Sequence, residues 1–308
     1  MEDVHKLRVF AAVAQHLSFT RAAQSLFLTQ SAVSHQIAAL ESEFNAPLLR
    51  REGRRVSLTE AGRVLAQQSV RVFAALEEAN DAVKRATNPG VGSLRIGASP
   101  TACQYIVPES LREFRESYPD YELSIAVGDS PQIASQLIAG TIDLGLLLRS
   151  ERDKRLTFHE VFTDELGFLV SPLHPWAQAG KVDRKQMAEQ HFVLYTRTST
   201  TFRLVEQYLL KIQSPLRKFT ELGSMEAIKE LVKLGLAVSV VAPWIASPEI
   251  ARRSLVWLKM PGPPLRRNWS IACRTGRLLS IADQTFLGLC RSTAQNLKIS
   301  ANMAVARQ

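Results

Sequence analysis

Residues 18–41 read SFTRAAQSLFLTQSAVSHQIAALE, and this stretch predicts two short helices joined by a very short connection. Ser18 and Thr29 are the predicted N-caps, because a hydroxyl oxygen can accept hydrogen bonds from the free amides of a first helical turn. The second helix carries apolar residues at the spacing of one buried stripe, namely Val33, Ile37 and Leu40. The pattern therefore predicts a helix-turn-helix unit.

The opposite face of the second helix is small and polar, so its backbone could approach base edges in the major groove of DNA. Four side chains on it can hydrogen-bond bases, namely Gln30, Ser31, Ser34 and His35. A lone helix of this kind is usually an amphipathic helix with a solvated face. A preceding helix favours the DNA-binding interpretation here, because it offers apolar residues for a three-helix core: Leu7, Phe10, Ala11, Ala14 and Leu17.

An arginine cluster follows the second helix. Residues 50–55 read RREGRR and precede the β-like run VSL at 56–58. A charge run by itself is usually solvated surface, but beside a helix-turn-helix it predicts a wing that contacts phosphates. The predicted phosphate ligands are Arg50, Arg51, Arg54 and Arg55.

Several ordered segments of the first 62 residues resemble the N-terminal domain of the LysR-type transcriptional regulators. They are LRVF at 7–10, SFTRAA at 18–23, LTQSAVS at 28–34, QI at 36–37, LE at 40–41, PLLRR at 47–51 and LTEAG at 58–62. The resemblance implies that Gln30, Ser31, Ser34 and His35 lie in the major groove and that Arg54 on the wing reaches DNA. It further implies that His35 helps to set operator preference.

A long helix is predicted to follow the winged unit over residues 59–88, with Thr59 as its cap. Its apolar positions fit a coiled-coil seam, namely Leu65, Val72, Leu76, Ala79 and Val83. The helix could instead pack along its own domain. The family resemblance implies that the helix pairs with a second copy, giving a homodimer or homotetramer. The breaker sequence TNPGVG at 87–92 marks the best domain boundary.

From residue 93 the pattern alternates between strands and helices, which predicts a parallel α/β sheet. The predicted strands are 93–98, 121–127, 142–148, 191–195, 217–222, 236–241 and 268–273. The predicted helices are 102–117, 130–139, 183–190, 200–211, 224–234 and 280–296.

The segments GTIDLG at 140–145 and GSMEAIKELVKLGLAVSVVAP at 223–243 resemble the two-lobed, periplasmic-binding-protein-like (type 2) effector domain of the same family. The predicted fold class is thus a multidomain α+β protein. It has a winged helix-turn-helix at 1–58, a linker helix at 59–88 and an effector domain at 92–297. In the effector domain lobe I is 92–163 plus 267–297 and lobe II is 164–266, with hinges near 163–164 and 266–267, and residues 298–308 are a tail.

A ligand in such a fold binds beyond the carboxyl ends of the strands, where helix N-termini attract anions. The candidate effector-binding residues are Ser99, Pro100, Thr101, Asp129, Ser130, Arg149, Thr196, Thr200, Thr201 and Ser224. For each hydroxyl, simple helix capping is an equally good explanation. Convergence on one cleft favours a small anionic metabolite.

Composition narrows the function class. The 308 residues carry a net charge of +9, but the first 90 residues contribute only +2, so DNA binding depends on the local arginine cluster rather than on bulk charge. The three cysteines form no paired motif, which predicts a reduced protein without disulfides or a metal site. Cys103 is either a redox sensor near the ligand loop or, by the commoner pattern, an inert thiol.

No signal peptide, membrane-length apolar run or catalytic motif is recognisable, so a cytoplasmic, nucleoid-associated protein that is not an enzyme is expected. A solute-binding protein would explain only the α/β half. The expected partners are double-stranded promoter DNA, a small-molecule co-inducer, a second copy of the chain and, if the protein is an activator, RNA polymerase. No cofactor is expected.

Overall fold

A computed structural model describes residues 2–52, 55–88, 90–149 and 153–308 of the chain. The chain divides into two compact units, with the main division after Ala86.

The N-terminal unit contains three helices, a two-stranded hairpin and a long fourth helix. These are α1 (Glu2–His16), α2 (Phe19–Ser25), α3 (Gln30–Glu43), β1 (Leu49–Glu52), β2 (Arg55–Leu58) and α4 (Glu60–Thr87). Both predicted caps are confirmed, because the Ser18 hydroxyl accepts from the Arg21 amide and the Thr29 hydroxyl accepts from the Ala32 amide. The hairpin confirms the predicted wing.

The core of the N-terminal unit lies where the first three helices cross. Ala22 and Ala23 are buried, so α2 and α3 can approach closely, and the stripe predicted for α3 is buried as well: Val33, Ile37 and Leu40. The stripe predicted for α1 is partly wrong. Val9 and Val13 flank Phe10 in the core, whereas Leu17 is 46% exposed with a φ of 48°, because it lies in the turn after the helix.

Two contacts fix the hairpin to the helices on either side of it. The Glu41 carboxylate accepts hydrogen bonds from the amides of Leu48 (2.7 Å) and Leu49 (3.1 Å), which ties α3 to β1. A Cβ on Gly62 would lie 2.0 Å from the Leu48 carbonyl oxygen. Only glycine therefore allows the first turn of α4 to pack so closely against β1, which explains the glycine in the LTEAG segment.

The C-terminal unit is a mixed α/β structure. Its strands are β3 (Gly92–Ala98), β4 (Tyr121–Val127), β5 (Leu144–Leu148), β6 (Leu156–Val170), β7 (His191–Leu194), β8 (Lys218–Glu221), β9 (Ser239–Val241), β10 (Val256–Lys259) and β11 (Leu265–Arg274). Its α-helices are α5 (Pro100–Tyr105), α6 (Val107–Ser117), α7 (Ser130–Ala139), α8 (Pro175–Ala179), α9 (Thr200–Lys211), α10 (Met225–Lys233), α11 (Ser247–Ala251) and α12 (Ile281–Ala306). Two 3₁₀ turns occupy Met187–Glu189 and Pro243–Ala246.

Three sequence predictions for this unit need correction: two helices, and the parallel sheet, which is mixed because β6 and β11 pair antiparallel. The predicted helix 102–117 is two helices that meet at Ile106, because Pro108 lacks the amide that a continuous helix would need and opens a new first turn. The predicted helix 183–190 is only the short 3₁₀ turn. The 15-residue strand β6 was not predicted, because its alternation of apolar and polar residues is interrupted at the centre.

The strands form one seven-stranded sheet in the order β10-β6-β11-β5-β3-β4, with β9 also paired to β6, and a separate parallel pair of β7 and β8. Strands β3, β4 and β5 are mutually parallel, whereas β6 and β11 are antiparallel neighbours along almost their whole length. The two predicted hinge sites face each other in this ladder, since Thr163 pairs with Asn268 and Asp164 with Arg267.

Helix α12 extends ten residues beyond the predicted end at Asn296, so most of the predicted tail is helical. Its first half packs on α6, where Ser110 donates a hydrogen bond to Thr293 at 3.2 Å. Its second half packs on α11 and the Pro243–Ala246 turn, with Ala301 and Ala304 buried. The small side chains permit this close packing, which joins α12 to both lobes.

Asp143 anchors β5 through two arginines whose side chains are only 18% and 11% exposed. Its carboxylate accepts hydrogen bonds from Arg95 (2.9 Å) and Arg277, and Arg277 also donates to Asp283 (3.2 Å). Burial raises the pKa of Asp143, but the hydrogen bond from Arg95 and the charge of Arg277 outweigh burial and hold that pKa below its usual range.

Asp143→Asn is expected to lower the free energy of unfolding of the C-terminal unit by about 3 kcal/mol at pH 7, because two largely buried guanidinium groups lose the buried carboxylate that they share. Urea unfolding followed by tryptophan fluorescence measures this change, since all four tryptophans lie beyond residue 170.

The folded-state pKa is lowered, so the contribution of Asp143 is complete above the unfolded pKa of about 3.9 and disappears as the pH falls through the folded value. The stabilities of the wild type and the variant should therefore converge in acid. Asp120→Asn, at an exposed turn, is the control and should change stability by less than about 0.5 kcal/mol. An equal loss in both variants would contradict the role of Asp143.

Candidate DNA-binding surface and ligand cleft

The outer face of α3 is open to solvent in this chain. Gln30, Ser31 and His35 are exposed and Ser34 is half-buried. The Ser31 and Thr29 hydroxyls lie 3.0 Å apart, and the Gln30 side chain is 3.5 Å from the Thr20 hydroxyl. These contacts orient the leading end of the helix and leave its polar face uncovered within the N-terminal unit.

The hairpin register separates the wing arginines into two groups. Arg51 faces the same side as Leu49, and its guanidinium lies 4.1 Å from the centre of the Phe19 ring. Arg50 pairs with Ser57 on the other side of the hairpin, which is also the side of Arg55, and both arginines are exposed. Arg54, the fourth predicted phosphate ligand, lies outside the described residues.

A cavity in the C-terminal unit brings together the ends of strands from both lobes. It is small, with a volume of about 40 Å³. Seven of the predicted effector-binding residues line it: Ser99, Pro100, Thr101, Asp129, Ser130, Thr200 and Thr201. We call this cavity the ligand cleft.

Several hydroxyls of the ligand cleft make hydrogen bonds within the protein. Ser99 accepts from the Ala102 amide and Ser199 accepts from the Phe202 amide, so both cap their helices. Ser130 accepts from the Leu148 amide at 3.2 Å and thereby ties α7 to β5. Helix capping therefore explains Ser99 and Ser199, and the contact between α7 and β5 explains Ser130.

Thr200 differs from these hydroxyls. Its side chain is 8% exposed, and its hydroxyl has no hydrogen-bond partner among the described residues. Beside it in sequence, Thr201 accepts a hydrogen bond from Arg267 Nη1 at 2.8 Å. A buried hydroxyl without a partner costs about 1–3 kcal/mol, so the site favours a molecule that supplies the missing hydrogen bond.

Arg267 is a cleft residue that the sequence analysis did not select. It lines the cleft and is 4% exposed, and its Nε donates to Asp164 at 2.9 Å. Its contacts with Asp164 and Thr201 use three of the five N–H donors of a guanidinium, and the other two have no hydrogen-bond partner in the described part of the chain. Two consecutive arginines, Arg266 and Arg267, at the predicted lobe boundary could have indicated a cleft residue. The sequence alone does not show which of the two points inward.

One carboxylate also lines the cleft. Asp129 Oδ2 accepts a hydrogen bond from the Thr198 hydroxyl at 2.5 Å, which links the loop after β4 to the loop before α9. Burial, and secondly the charge of Asp129, raise the pKa of Tyr195 above its usual value. Tyr195 therefore remains a neutral hydrogen-bond donor in the cleft.

Three predicted effector-binding residues do not line the ligand cleft. Arg149 is exposed, and its guanidinium lies 5.4 Å from the centre of the Phe158 ring. Thr196 pairs with Thr198 at 3.3 Å, and Ser224 is an exposed cap of α10. Each follows a strand, as predicted, but none of the three lines the cavity.

A second set of hydrogen bonds crosses between the lobes at α5 and α10. Glu226 Oε1 accepts from Gln104 Nε2 (2.8 Å) and from the Tyr105 hydroxyl (2.9 Å). Lys229 lies 2.9 Å from the same oxygen and 2.9 Å from Glu249. We call this group the α5–α10 latch, because it joins α5 of the predicted lobe I to α10 of the predicted lobe II.

The cysteines show no activated thiol. Burial raises the pKa of Cys103, which disfavours the reactive thiolate form. Cys290 is fully buried, and burial raises its pKa to about 12. Within the described ranges, no group of His, Cys, Asp and Glu could hold a metal ion, and no helix has the length and apolar character needed to span a membrane.

Comparisons with known proteins agree with both halves of the chain. Residues 4–63 match the model of the bacterial regulatory helix-turn-helix protein, lysR family, and residues 87–295 match the LysR substrate binding domain. The HTH-type transcriptional activator CmpR of Synechocystis is 31% identical, over 92% of this chain and 93% of its own. The RuBisCO operon transcriptional regulator of Allochromatium vinosum is also 31% identical, over 96% and 97%.

Among solved structures, a full-length OxyR variant of Pseudomonas aeruginosa shares the fold with a TM-score of 0.70 at 21% identity, covering 94% of this chain and 97% of that one. The two family matches, separated by residues 64–86, together span most of the sequence, and the relatives are named as transcriptional regulators. The chain belongs to the LysR family of transcriptional regulators.

Proposed function

We propose that the regulator reads its operator with the outer face of α3. Gln30, Ser31, Ser34 and His35 would contact base edges, and the solvent exposure of this small polar face supports the assignment. Arg50 and Arg55 would bind phosphates on the outer side of the wing. Arg51 has a different role in this proposal, because its stacking on Phe19 holds the wing against α2.

Self-association through α4 is part of the proposal. The helix leaves apolar side chains uncovered within the N-terminal unit, among them Val72 (41% exposed), Leu76 (37%) and Val83 (65%). A 28-residue helix with such a stripe gains stability when a second copy covers the apolar side chains. A dimer would present two copies of α3 to a two-fold symmetric operator.

The effector we propose is a small anionic metabolite in the ligand cleft. The observation that carries this proposal is the buried Thr200 hydroxyl without a partner, in the first turn of α9 and next to the Thr201–Arg267 pair. Free amides of that turn and two spare guanidinium donors favour an oxyanion. Asp129 disfavours negative charge at its own end of the cleft, so the other end of the ligand would carry a hydroxyl or amino donor.

The proposed mechanism is a change in the angle between the lobes. Ligand groups that bridge Thr200 in lobe II and Ser99 or Ser130 in lobe I would add to the α5–α10 latch and the Asp129–Thr198 bond. The ligand shifts the equilibrium only by its difference in affinity for the closed and open arrangements. The shift would respace paired DNA-binding units and so alter transcription, including contact with RNA polymerase if the protein activates.

Arg50→Ala and Arg55→Ala are each expected to reduce the slope of log K against log salt concentration by about 1, because each removes one phosphate contact. Arg51→Ala should change that slope less and lower the stability of the N-terminal unit by about 0.5–1 kcal/mol. Fluorescence anisotropy with promoter DNA at several salt concentrations and circular-dichroism melting measure these effects. Equal slope changes for all three variants would contradict the division of the wing.

Thr200→Val is expected to abolish stabilisation by the effector while leaving the ligand-free protein as stable as the wild type or slightly more stable, because valine fills the same space without an unpaired hydroxyl. A thermal-shift screen of small carboxylates and phosphates, read by tryptophan fluorescence, identifies the ligand. At 100 times Kd it should stabilise the wild type by about 2.7 kcal/mol. Ser224→Ala, outside the cleft, is the matched control, and a full ligand response in Thr200→Val would refute the site.

Glu226→Ala is expected to loosen the closed arrangement, because the α5–α10 latch loses its shared acceptor. Hydrogen exchange of the full chain should then show faster exchange in α5 and in the first turn of α10. Glu230→Ala is the control on the same helix, since Glu230 pairs with Lys233 and does not touch α5. Indistinguishable exchange in the two variants would count against the latch.

A further inference from the structure

A second concave surface of the C-terminal unit shares no lining residue with the ligand cleft. It has a volume of about 720 Å³ and lies between β6 and β11, which carry the predicted hinges and are called the hinge strands below, the edge strand β10 and the second half of α12. The polar residues that line it include Glu165, Lys259, Arg266, Lys298 and Asn302. We call it the hinge groove.

Positive charge exceeds negative charge in the hinge groove. Lys259 on β10, Arg266 on β11 and Lys298 on α12 supply three cations from three separate elements. In the described part of the chain, no acidic side chain lies within 4.0 Å of either lysine ammonium, and Arg266 Nε reaches Glu165 only at 3.8 Å. Like charges brought together by tertiary packing repel one another unless an anion or solvent screens them.

The second carboxylate in the groove does not balance these cations. Asp164 accepts hydrogen bonds from Arg267 and from the indole nitrogens of Trp244 (2.8 Å) and Trp269 (3.1 Å). Its charge is therefore already neutralised inside the protein. Among the described residues that line the groove, Glu165 is the one carboxylate left opposite three cations, which gives an excess of two positive charges.

The remaining polar groups of the groove also favour an acceptor-rich ligand. The Trp257 indole nitrogen donates to the Val241 carbonyl, so it is committed to the protein. The Thr163 hydroxyl donates to Asn268 at 2.9 Å. The donors that remain are the exposed Lys259 ammonium, the half-buried Lys298 ammonium, the Arg266 guanidinium and the amide of Asn302, which match the oxygens of a phosphate or carboxylate.

We propose that the hinge groove is a second binding site of this regulator, for a small doubly charged oxyanion such as a phosphate monoester. A phosphate monoester carries a charge of about −1.5 to −2 at pH 7, which matches the excess charge of the groove. Bound there, it joins α12 to β10 and β11. The site lies on the hinge strands. If the lobes move as proposed above, an anion bound here would change the same angle between the lobes as a ligand in the cleft.

Isothermal titration of the full-length protein with inorganic phosphate, at constant ionic strength, tests the site. We expect saturable binding of one phosphate per chain. The double variant Lys259→Gln, Lys298→Gln should bind at least tenfold more weakly, and Glu165→Gln should bind more tightly because it removes the one opposing charge. Both changes are at side chains open to the groove, so the fold is retained. Lys211→Gln, an exposed lysine at the end of α9, is the control and should bind as the wild type does.

A parallel titration with succinate distinguishes a site for phosphate from a site for any doubly charged oxyanion. Lysine-dependent binding of succinate as well as phosphate assigns the site to doubly charged oxyanions in general, and binding of phosphate alone assigns it to phosphate. Unchanged phosphate affinity in the double lysine variant overturns the proposal. Loss of phosphate binding in Thr200→Val also overturns it, because the anion would then occupy the ligand cleft. Failure of the cleft proposal alone would leave the lysine dependence intact.

Discussion

The arrangement of the C-terminal unit depends on the buried ion pair between Asp164 and Arg267, which stand opposite each other on the two hinge strands. Two charges removed from water cost several kcal/mol each unless their hydrogen bonds are satisfied. Here the carboxylate receives two guanidinium bonds and the indole N–H groups of Trp244 and Trp269, and Arg267 also donates to Thr201. The pair therefore fixes both lobes to one point of the sheet.

The same ion pair separates two sites of different character. Arg267 faces the ligand cleft, which is small and contains one buried hydroxyl without a partner. Asp164 lies at the hinge groove, which is wider and lined by cations from three elements. A ligand in either site would contact residues at or beside the hinge strands. In the mechanism proposed above, this common location would couple the two sites through one change in lobe angle.

The N-terminal unit follows from local rules that act over a few residues. The sequence predicts a hydroxyl cap before each short helix, small alanines where the helices cross and an apolar stripe on α3. The structure confirms all three. The buried face of α1 was harder to predict from the sequence, because Val9 and Val13 fit a helical period as well as Leu7 and Leu17 do. Only packing decides which of two adjacent stripes is buried.

The sequence alone determined the helix-turn-helix, the wing and the α/β character of the second half, because caps, turns and apolar periods are encoded within about ten residues of one another. It also located Thr200 and Ser99 in a cleft, since strand ends predict where loops meet. The tertiary structure decided the rest: that Arg51 stacks on Phe19, that Arg267 rather than Arg149 faces the cleft, and that α12 continues onto lobe II. These outcomes depend on strand register and on contacts between residues some 30 to 100 positions apart, which no local pattern specifies.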